Sequence, residues 1–221
     1  MKTVNLEKLK AKLPLYPNIL GRWNYLNYAV AVPLISINSE LHVLFERRSL
    51  NISQGGEICF PGGKFDPEKD SNYKDTAIRE SSEELGIPVN KIVIEGCFDS
   101  LFTQTGVIVE PYLATLNINS ISDLKYNRHE VEEIFTIPIS FFLSKKPEEY
   151  QTLIEVKPSF TDEKGNEIIL LPTKELGLPD RYSSPWGKRK RKILVYKTDN
   201  GVIWGITAEI IHELSRLLNL T

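Results

Sequence analysis

The chain has 221 residues, of which 41% are apolar, so it can form one substantial core but is short for two full domains. Its formal net charge of −2 argues against a general nucleic-acid-binding protein, because such proteins need excess Lys and Arg to neutralise phosphates. No apolar run approaches the roughly 20 residues that span a membrane. We therefore expect one domain over residues 1–221, with neither nucleic acid nor membrane as a partner.

The two cysteines, Cys59 and Cys97, are too few for a disulfide framework. Residues 1–12 mix Lys, Glu and Leu and contain no signal-peptide core. We interpret both thiols as reduced and expect a cytoplasmic protein. The sequence leaves a homodimer open.

The N-terminal third begins with a predicted extension, residues 1–27, that covers the domain and contains a short amphipathic helix at 5–13. The following run, 28–37, is nearly all apolar, as in a buried strand, and residues 41–48 return after a turn. These two runs predict a β-hairpin. Pro33 has no N–H to donate, so we expect a sheet edge or a bulge at that position.

The stretch 55–87 begins as a loop rich in glycine. Pro61, Gly62 and Gly63 are expected to break regular structure and to turn backbone carbonyls toward a ligand.

A helix is predicted after this loop. Asp75 or Thr76 can cap its start, and Gly86 can take the left-handed conformation that ends it. At about 100° per residue, one arc of this helix carries three carboxylates, those of Glu80, Glu83 and Glu84.

Three carboxylates within one helical turn repel one another, and most such clusters are solvated acidic faces. The neighbouring loop changes the interpretation, because carboxylate and carbonyl oxygens together suit a hard cation such as Mg²⁺ or Mn²⁺. Such ions bind phosphates and activate water for attack on them. We therefore predict Mg²⁺ or Mn²⁺ as the cofactor.

The rest of the chain alternates strands and helices irregularly. Beyond the acidic helix we predict strands at 91–102, 107–116 and 130–138 and one helical turn at 141–143. Residues 144–221 are predicted to be hairpins and a helix packed on the same domain: 150–156 with 168–171, 193–196 with 202–204, and a helix at 206–218. The helices are too few to cover every strand, so the predicted fold is α/β (α+β), with a mixed sheet between helices.

The loop and the acidic helix together carry a specific motif. Gly62-Gly63-Lys64, a spacer, and Arg79-Glu80-x-x-Glu83-Glu84-x-Gly86-Ile87 resemble the Nudix box, the signature of hydrolases that cleave diphosphates linked to a nucleoside. The resemblance implies a Nudix-type α/β/α sandwich. The spacer is two residues longer than the common form, which leaves Asp70 as the nearest substitute for the usual loop glutamate. Ser81 stands where an aliphatic residue or alanine is usual.

Residues outside the box narrow the resemblance. Arg47-Arg48-Ser49 followed by residues 56–63 is similar to the extra signature of coenzyme A pyrophosphatases, and runs at 29–34, 130–138 and 202–209 also resemble that subfamily. The usual Leu-Arg-x-His is replaced by Asn-Ile-Ser-Gln at 51–54, which removes positive charge near the expected substrate entrance. The resemblance implies hydrolysis of coenzyme A or acyl-coenzyme A to 3′,5′-ADP and (acyl-)4′-phosphopantetheine.

The resemblance also implies roles for individual residues. The expected metal ligands are Glu80, Glu83, Glu84 and, through its backbone carbonyl, Gly63. The expected catalytic residues are Glu80, Glu83, Arg79 and Glu130, with Arg79 orienting the carboxylates and the water-activating base left open among the three glutamates. The residues expected to bind a coenzyme A-like nucleotide are Arg47, Arg48, Gly62 and Lys64.

Two other functions stay open at this point. The same catalytic residues could act on ADP-ribose or another compound linked to a nucleoside diphosphate. Alternatively, the chain could be a Nudix-fold module that binds a nucleotide without cleaving it, although a pure binder has no need of all three glutamates. The basic run 188–192 is interpreted either as solvated surface or as a phosphate clamp.

Overall fold

A computed structural model describes residues 5–219, and a mixed eight-stranded sheet lies at its centre. Its strands are β1 Leu26–Ile37, β2 Glu40–Arg48, β3 Ile58–Cys59, β4 Gly62–Lys64, β5 Ile92–Cys97, β6 Leu101–Phe102, β7 Val107–Leu116 and β8 Val131–Pro138. The main path runs β3-β2-β1-β7-β5, with β4 paired to β1, β6 to β7, and β8 to β2. β1 and β7 are parallel and the other pairs are antiparallel. The sheet is therefore mixed, as predicted.

Helices lie on both faces of this sheet, and the described helices are α1 Leu6–Lys10, α2 Tyr73–Leu85, α3 Ile139–Ser144 and α4 Gly205–Leu218. One apolar core, between the sheet and α2, contains Leu44 and Leu85. The other, between the opposite face and α3 and α4, contains Phe45, Phe142 and Ile211. Consecutive residues of β2 thus enter different cores, because side chains alternate along a strand. This layering confirms the predicted α/β/α sandwich.

Strands β1 and β2 form the predicted hairpin, with Leu34 opposite Val43. The expectation of a sheet edge at Pro33 is wrong, because β1 lies in the middle of the sheet. On one side of β1 the partner changes from β4, opposite residues 28–30, to β2, opposite residues 34–37. Pro33 falls in the interval, where the missing N–H interrupts neither ladder.

The C-terminal part adds two small sheets, built from β9 Glu148–Val156, β10 Ser159–Thr161, β11 Glu167–Ile169, β12 Trp186–Thr198 and β13 Gly201–Trp204. The hairpin β12–β13 is confirmed, and so is the amphipathic helix α4. The predicted hairpin of 150–156 with 168–171 is wrong. Residues 148–156 pair instead with β12, far along the chain, while β10 and β11 close the turn at 162–166. Local periodicity could not distinguish these partners.

The N-terminal extension is mostly exposed. A helix within the predicted range 5–13 is confirmed as α1, at 6–10. It buries no residue, and across 5–20 only Ile19 is half-buried, so the expectation that this segment covers the domain is wrong for residues 5–20. Arg22 is the residue that attaches this segment: it pairs with Glu110 and lies over the ring of Tyr73 at 4.2 Å. Residues 1–4 and 220–221, also part of the predicted domain, lie outside the described residues. Between residues 5 and 219 no helix is long and apolar enough to cross a membrane.

Candidate active site

The Gly-Gly loop is a short strand on β1. Gly62 and Gly63 pair with β1 as part of β4, and the amide of Ala31 donates to the carbonyl of Pro61 at 2.9 Å. The prediction that this loop breaks regular structure is therefore wrong for the two glycines. Gly62 has φ of +155°, and a Cβ there would overlap the carbonyl oxygen of Ala29. Only glycine lets the backbone lie so close to β1.

Helix α2 brings the acidic side chains to this strand. Asn72, rather than Asp75 or Thr76, caps its start, because the Asn72 Oδ1 accepts the amide of Asp75 at 3.1 Å. Gly86 ends the helix in the left-handed conformation, as predicted. A Cβ on Gly86 would overlap the carbonyl oxygen of Lys125, so the helix end is packed closely against the chain that leads to β8.

The three glutamates of α2 have different surroundings. Glu84 is buried, and its Oε2 accepts the amide of Gly62 at 2.8 Å. Glu80 is mostly buried, and its carboxylate lies so close to Gly63 that a Cβ added to Gly63 would overlap it. The Glu83 side chain is 57% exposed. The structure thus brings two of the three predicted metal-binding carboxylates, those of Glu80 and Glu84, to the backbone of Gly62 and Gly63. The third, that of Glu83, is exposed to solvent.

Arg79 links the helix to the spacer. Its guanidinium donates two hydrogen bonds of 2.8 Å to Asp70 and one of 2.7 Å to Glu80, and it lies 3.6 Å from Glu83. The Arg79 ion pair strongly lowers the pKa of Asp70, and Asp70 in turn raises that of Arg79. Arg79 therefore stays charged and holds the Glu80 carboxylate in place.

A further carboxylate, that of Glu46 on β2, was missed in the sequence. It is 1% exposed, accepts a hydrogen bond from the Cys59 thiol at 3.3 Å, and carries an Oε2 without a hydrogen-bond partner among the described residues. Leu44, two residues earlier, packs in the same core as Leu85 of α2. Strand alternation therefore directs Glu46 to the face that α2 covers, a signal that the sequence did contain.

Burial and like charges control the ionisation of these groups. Burial is the main cause that raises the pKa of Glu84 to about 9, and the neighbouring charge of Glu46 adds to it. Burial also raises the pKa of Glu46 to about 7, although the hydrogen bond from the Cys59 thiol and the charge of Arg48 both lower it. The pKa of Glu80 is raised mainly by burial, while Arg79 opposes the shift. A divalent cation is the partner that allows such buried carboxylates to ionise together.

Glu130 and Arg48 lie close to this cluster. The charge of Glu130 raises the pKa of both Glu46 and Glu80, and its Oε2 accepts the side-chain amide of Asn127 at 3.0 Å. The charge of Arg48 lowers the pKa of Glu46 and of Glu84. The structure therefore brings the distal glutamate and one of the two predicted arginines to the acidic helix.

Arg47 points the other way. Its guanidinium donates to the carbonyl of Asn200 at 2.6 Å and to Glu133 at 3.3 Å, which ties β2 to the C-terminal hairpin. It also lines a cavity of about 520 Å³ whose other walls are Gly55, Gly56, Glu57, Val195, Val202 and Trp204. Lys64 is exposed on β4. The predicted substrate-binding residues are thus divided between the acidic cluster and this cavity.

The basic run 188–192 lies within strand β12. Lys188 pairs with Glu155 and Lys192 with Glu149, both on β9, and Arg191 pairs with Glu209 on α4. Three of the five basic residues in the run are therefore paired with acidic residues of β9 and α4. The alternative interpretation as a phosphate clamp stays a prediction.

The donor set fits a hard cation. Carboxylate oxygens of Glu80 and Glu84 meet the backbone of Gly62 and Gly63, and Glu46 adds a buried oxygen without a partner. Among residues 5–219, no three His, Cys, Asp or Glu side chains already surround one point. Arg79 donates to Glu80, the Gly62 amide donates to Glu84, and Glu83 is exposed, so the three predicted ligands do not converge on one point in this structure.

Comparisons with known proteins identify the family of the chain. The model of the NUDIX domain family matches residues 27–154. Nudix hydrolase 3 of Caenorhabditis elegans is 33% identical over 194 residues, which cover 86% of this chain and 72% of the relative. The peroxisomal coenzyme A diphosphatase NUDT7 of Mus musculus is 32% identical over 117 residues, which cover 52% of this chain and 48% of that protein. The chain thus spans about half the length of that diphosphatase.

Among solved structures, an Ap4A hydrolase binary complex from Caenorhabditis elegans has a TM-score of 0.43 at 24% identity, covering 51% of this chain and 80% of that one. The family match covers more than half of the chain, and it includes β1, the Gly-Gly strand and the acidic helix. The chain therefore belongs to the Nudix family and is an enzyme of the pyrophosphohydrolase type.

Proposed function

We propose that this enzyme hydrolyses the pyrophosphate bond of coenzyme A or an acyl-coenzyme A, giving 3′,5′-ADP and (acyl-)4′-phosphopantetheine. The observation that carries the proposal is the placement of the upstream signature. The Arg48 amide donates to the Glu57 carbonyl and the Gly56 amide to the Arg48 carbonyl, both at 2.9 Å, so residues 48–57 form a closed loop. The Ser49 amide joins this loop to the backbone of Glu130 at 2.8 Å.

Glu80, Glu83, Glu84 and the carbonyl of Gly63 would hold the divalent cation, Mg²⁺ or Mn²⁺. When bound, such an ion neutralises phosphate charge and lowers the pKa of a water. Arg79 keeps Glu80 oriented, since it bridges Glu80 and Asp70. Arg48 is the cation that faces the acidic cluster, and we assign it to the substrate phosphates.

Proton abstraction from the attacking water is assigned to Glu130. Its carboxylate is exposed, is oriented by the Asn127 amide, and is close enough to Glu80 to affect its ionisation. Glu80 and Glu83 are the other candidates, because each would also stand next to the bound water.

The cavity beside Arg47 would accept the part of the substrate away from the pyrophosphate. Val195, Val202 and Trp204 supply apolar walls, and Gly55, Gly56 and Glu57 complete the lining. A pantetheine arm combines apolar carbons with amide groups and matches such a lining.

A second candidate substrate is ADP-ribose, because residues 51–54 lack the arginine and histidine usual in coenzyme A pyrophosphatases. Purified protein with Mg²⁺, and separately Mn²⁺, is incubated with each compound and the products are separated by chromatography. Release of 3′,5′-ADP from coenzyme A supports the proposal, and cleavage of ADP-ribose alone rejects it in favour of the second candidate. Saturable nucleotide binding without turnover of either compound would identify a non-catalytic module.

We further infer that residues 1–221 act as one domain on a small nucleotide in a reducing compartment such as the cytoplasm. Tyr196 and Ile203 of the C-terminal hairpin are buried in the same core as Phe45 of the central sheet, which supports one folding unit. Cys59 and Cys97 are free thiols, which supports the reducing compartment.

A further inference from the structure

Glu46 is the most deeply buried acidic residue that the roles above leave unused. It is 1% exposed and lies in the interior of the sheet, with Cys59 opposite it on β3 and Ile134 opposite it on β8. A buried carboxylate without compensation is costly, since its charge loses hydration that the protein has to replace.

The contacts of Glu46 are incomplete. Oε1 accepts a weak hydrogen bond from the Cys59 thiol, while Oε2 has no partner within the described part of the chain. A thiol is a poor donor, so neither oxygen is well satisfied. Nearly all buried polar groups in proteins are hydrogen-bonded, and a bound ion or an ordered water is the usual partner where the protein supplies none.

The position of Glu46 indicates which ligand. Its charge acts on Glu84, whose other neighbours are the Gly62 amide, Glu80 and Arg48. Glu46 lies on the same face of β2 as Leu44, which packs in one core with Leu85 of α2, and it is paired with Cys59, three residues before Gly62. Its unsatisfied carboxylate therefore lies on the side of the sheet that carries the box glutamates, and approaches them from the strand. Arg48 is the cation that acts on both Glu46 and Glu84, while Arg79 is already bound to Asp70 and Glu80. Neither arginine forms a hydrogen bond with Glu46 in the described part of the chain.

We propose that Glu46 is an additional ligand of the divalent-cation site, binding Mg²⁺ or Mn²⁺ through its buried Oε2 opposite Glu84. The site then takes ligands from three elements, namely helix α2, strand β4 and strand β2. This inference rests on the proposed function only in requiring that the site binds a divalent cation, and it does not depend on the substrate.

The test is a titration of the metal-free full-length protein with Mn²⁺ alone. Calorimetry measures the heat of binding, and electron paramagnetic resonance measures the concentration of free Mn²⁺. Glu46→Gln keeps the shape of the side chain and removes its charge. We expect the dissociation constant of at least one Mn²⁺ to rise tenfold or more. Glu95→Gln on the opposite edge strand β5 removes the same charge from an exposed position and should leave Mn²⁺ binding unchanged.

Glu46→Met separates a ligand from a structural residue. An apolar side chain of similar size removes the cost of a buried charge, so the metal-free variant should melt at or above the wild-type temperature while binding Mn²⁺ at least tenfold more weakly. Wild-type Mn²⁺ affinity in either folded variant overturns the proposal, and so does loss of folding in both variants, which would show that Glu46 is structural.

The result is separable from the proposed activity. Weaker Mn²⁺ binding in Glu46→Gln, with no hydrolysis of coenzyme A by the wild type, would support the ligand and reject the substrate. Unchanged Mn²⁺ binding in the variant, with coenzyme A hydrolysis by the wild type, would reject Glu46 as a ligand and support coenzyme A as the substrate.

Discussion

Arg79 and Asp70 form a bidentate ion pair, with Nε 2.8 Å from Oδ1 and Nη2 2.8 Å from Oδ2. Asp70 lies in the spacer that is longer than the common box, and its carboxylate also accepts the Thr76 hydroxyl at 2.8 Å and the Asp66 amide at 3.1 Å. The longer spacer thus supplies a buried acceptor for the arginine that orients Glu80. Asp70, predicted as a substitute for a loop glutamate, faces Arg79.

Asp70→Asn should destabilise the protein by roughly 3 kcal/mol at pH 7, because it leaves the partly buried Arg79 without its main partner. The folded-state pKa of Asp70 is lower than its unfolded value, so the ion pair stabilises the protein above about pH 4 and this contribution is lost as the pH falls further. Urea unfolding at several pH values measures the difference, which should shrink in acid. Glu7→Gln, in an exposed pair with Lys10, is the control and should change stability by less than about 1 kcal/mol.

The two glycines of β4 should respond differently to alanine. Gly62→Ala places a Cβ against the backbone of Ala29 and Val30 at φ +155°, so we expect a loss of roughly 2–5 kcal/mol in a thermal or urea melt. In Gly63→Ala the atoms nearest to the new Cβ belong to the flexible end of Glu80, so the variant should fold but lose activity at least about a hundredfold as that carboxylate is displaced. Gly96→Ala, with open space around its Cβ, should alter neither property. Full activity in Gly63→Ala would show that Glu80 does not take part in the active site.

Glu84→Gln should abolish most hydrolysis while the protein stays folded. The amide oxygen of glutamine can still accept the Gly62 N–H, but the negative charge for the cation is lost. We expect kcat to fall by about a thousandfold or more, with a circular dichroism melt close to that of the wild type. Glu132→Gln, on an exposed position of β8, is the matched control. A fully active Glu84→Gln enzyme would reject the site assignment.

In the presence of EDTA, the protein should lose stability as the pH rises from about 5 to 9. The folded-state pKa values of Glu46, about 7, and Glu84, about 9, lie above their ordinary value of 4.5. The folded state therefore binds more protons than the unfolded state across this range, and the free energy of unfolding falls as the pH rises.

Chemical unfolding at fixed pH, with and without millimolar Mg²⁺, measures this loss. Mg²⁺ should reduce it, because the cation stabilises the ionised carboxylates only in the folded protein. Glu84→Gln should flatten the upper part of the curve. A metal-free stability that rises toward pH 9 would mean that burial does not raise the pKa values of these two carboxylates.

Local sequence was sufficient for several features. Apolar alternation and turns located the hairpin β1–β2, helix α4 and the hairpin β12–β13, because these depend on neighbours within a few residues. The spacing of the box placed its glutamates on one helical arc for the same reason. The motif itself was specific enough to indicate the family before the fold was known.

Only the tertiary structure decided how these pieces meet. Strand β9 pairs with β12 across about 40 residues of chain, and no local pattern distinguishes that partner from a nearer one. Arg47 and Arg48 are adjacent in sequence, yet one faces the C-terminal hairpin and the other the acidic cluster, because side chains alternate along a strand. Strand alternation fixes the face of β2 on which Glu46 lies, but the burial of Glu46 depends on α2 packing against that face. Burial and charge depend on what the fold packs against a residue, and that information is distributed over the whole chain.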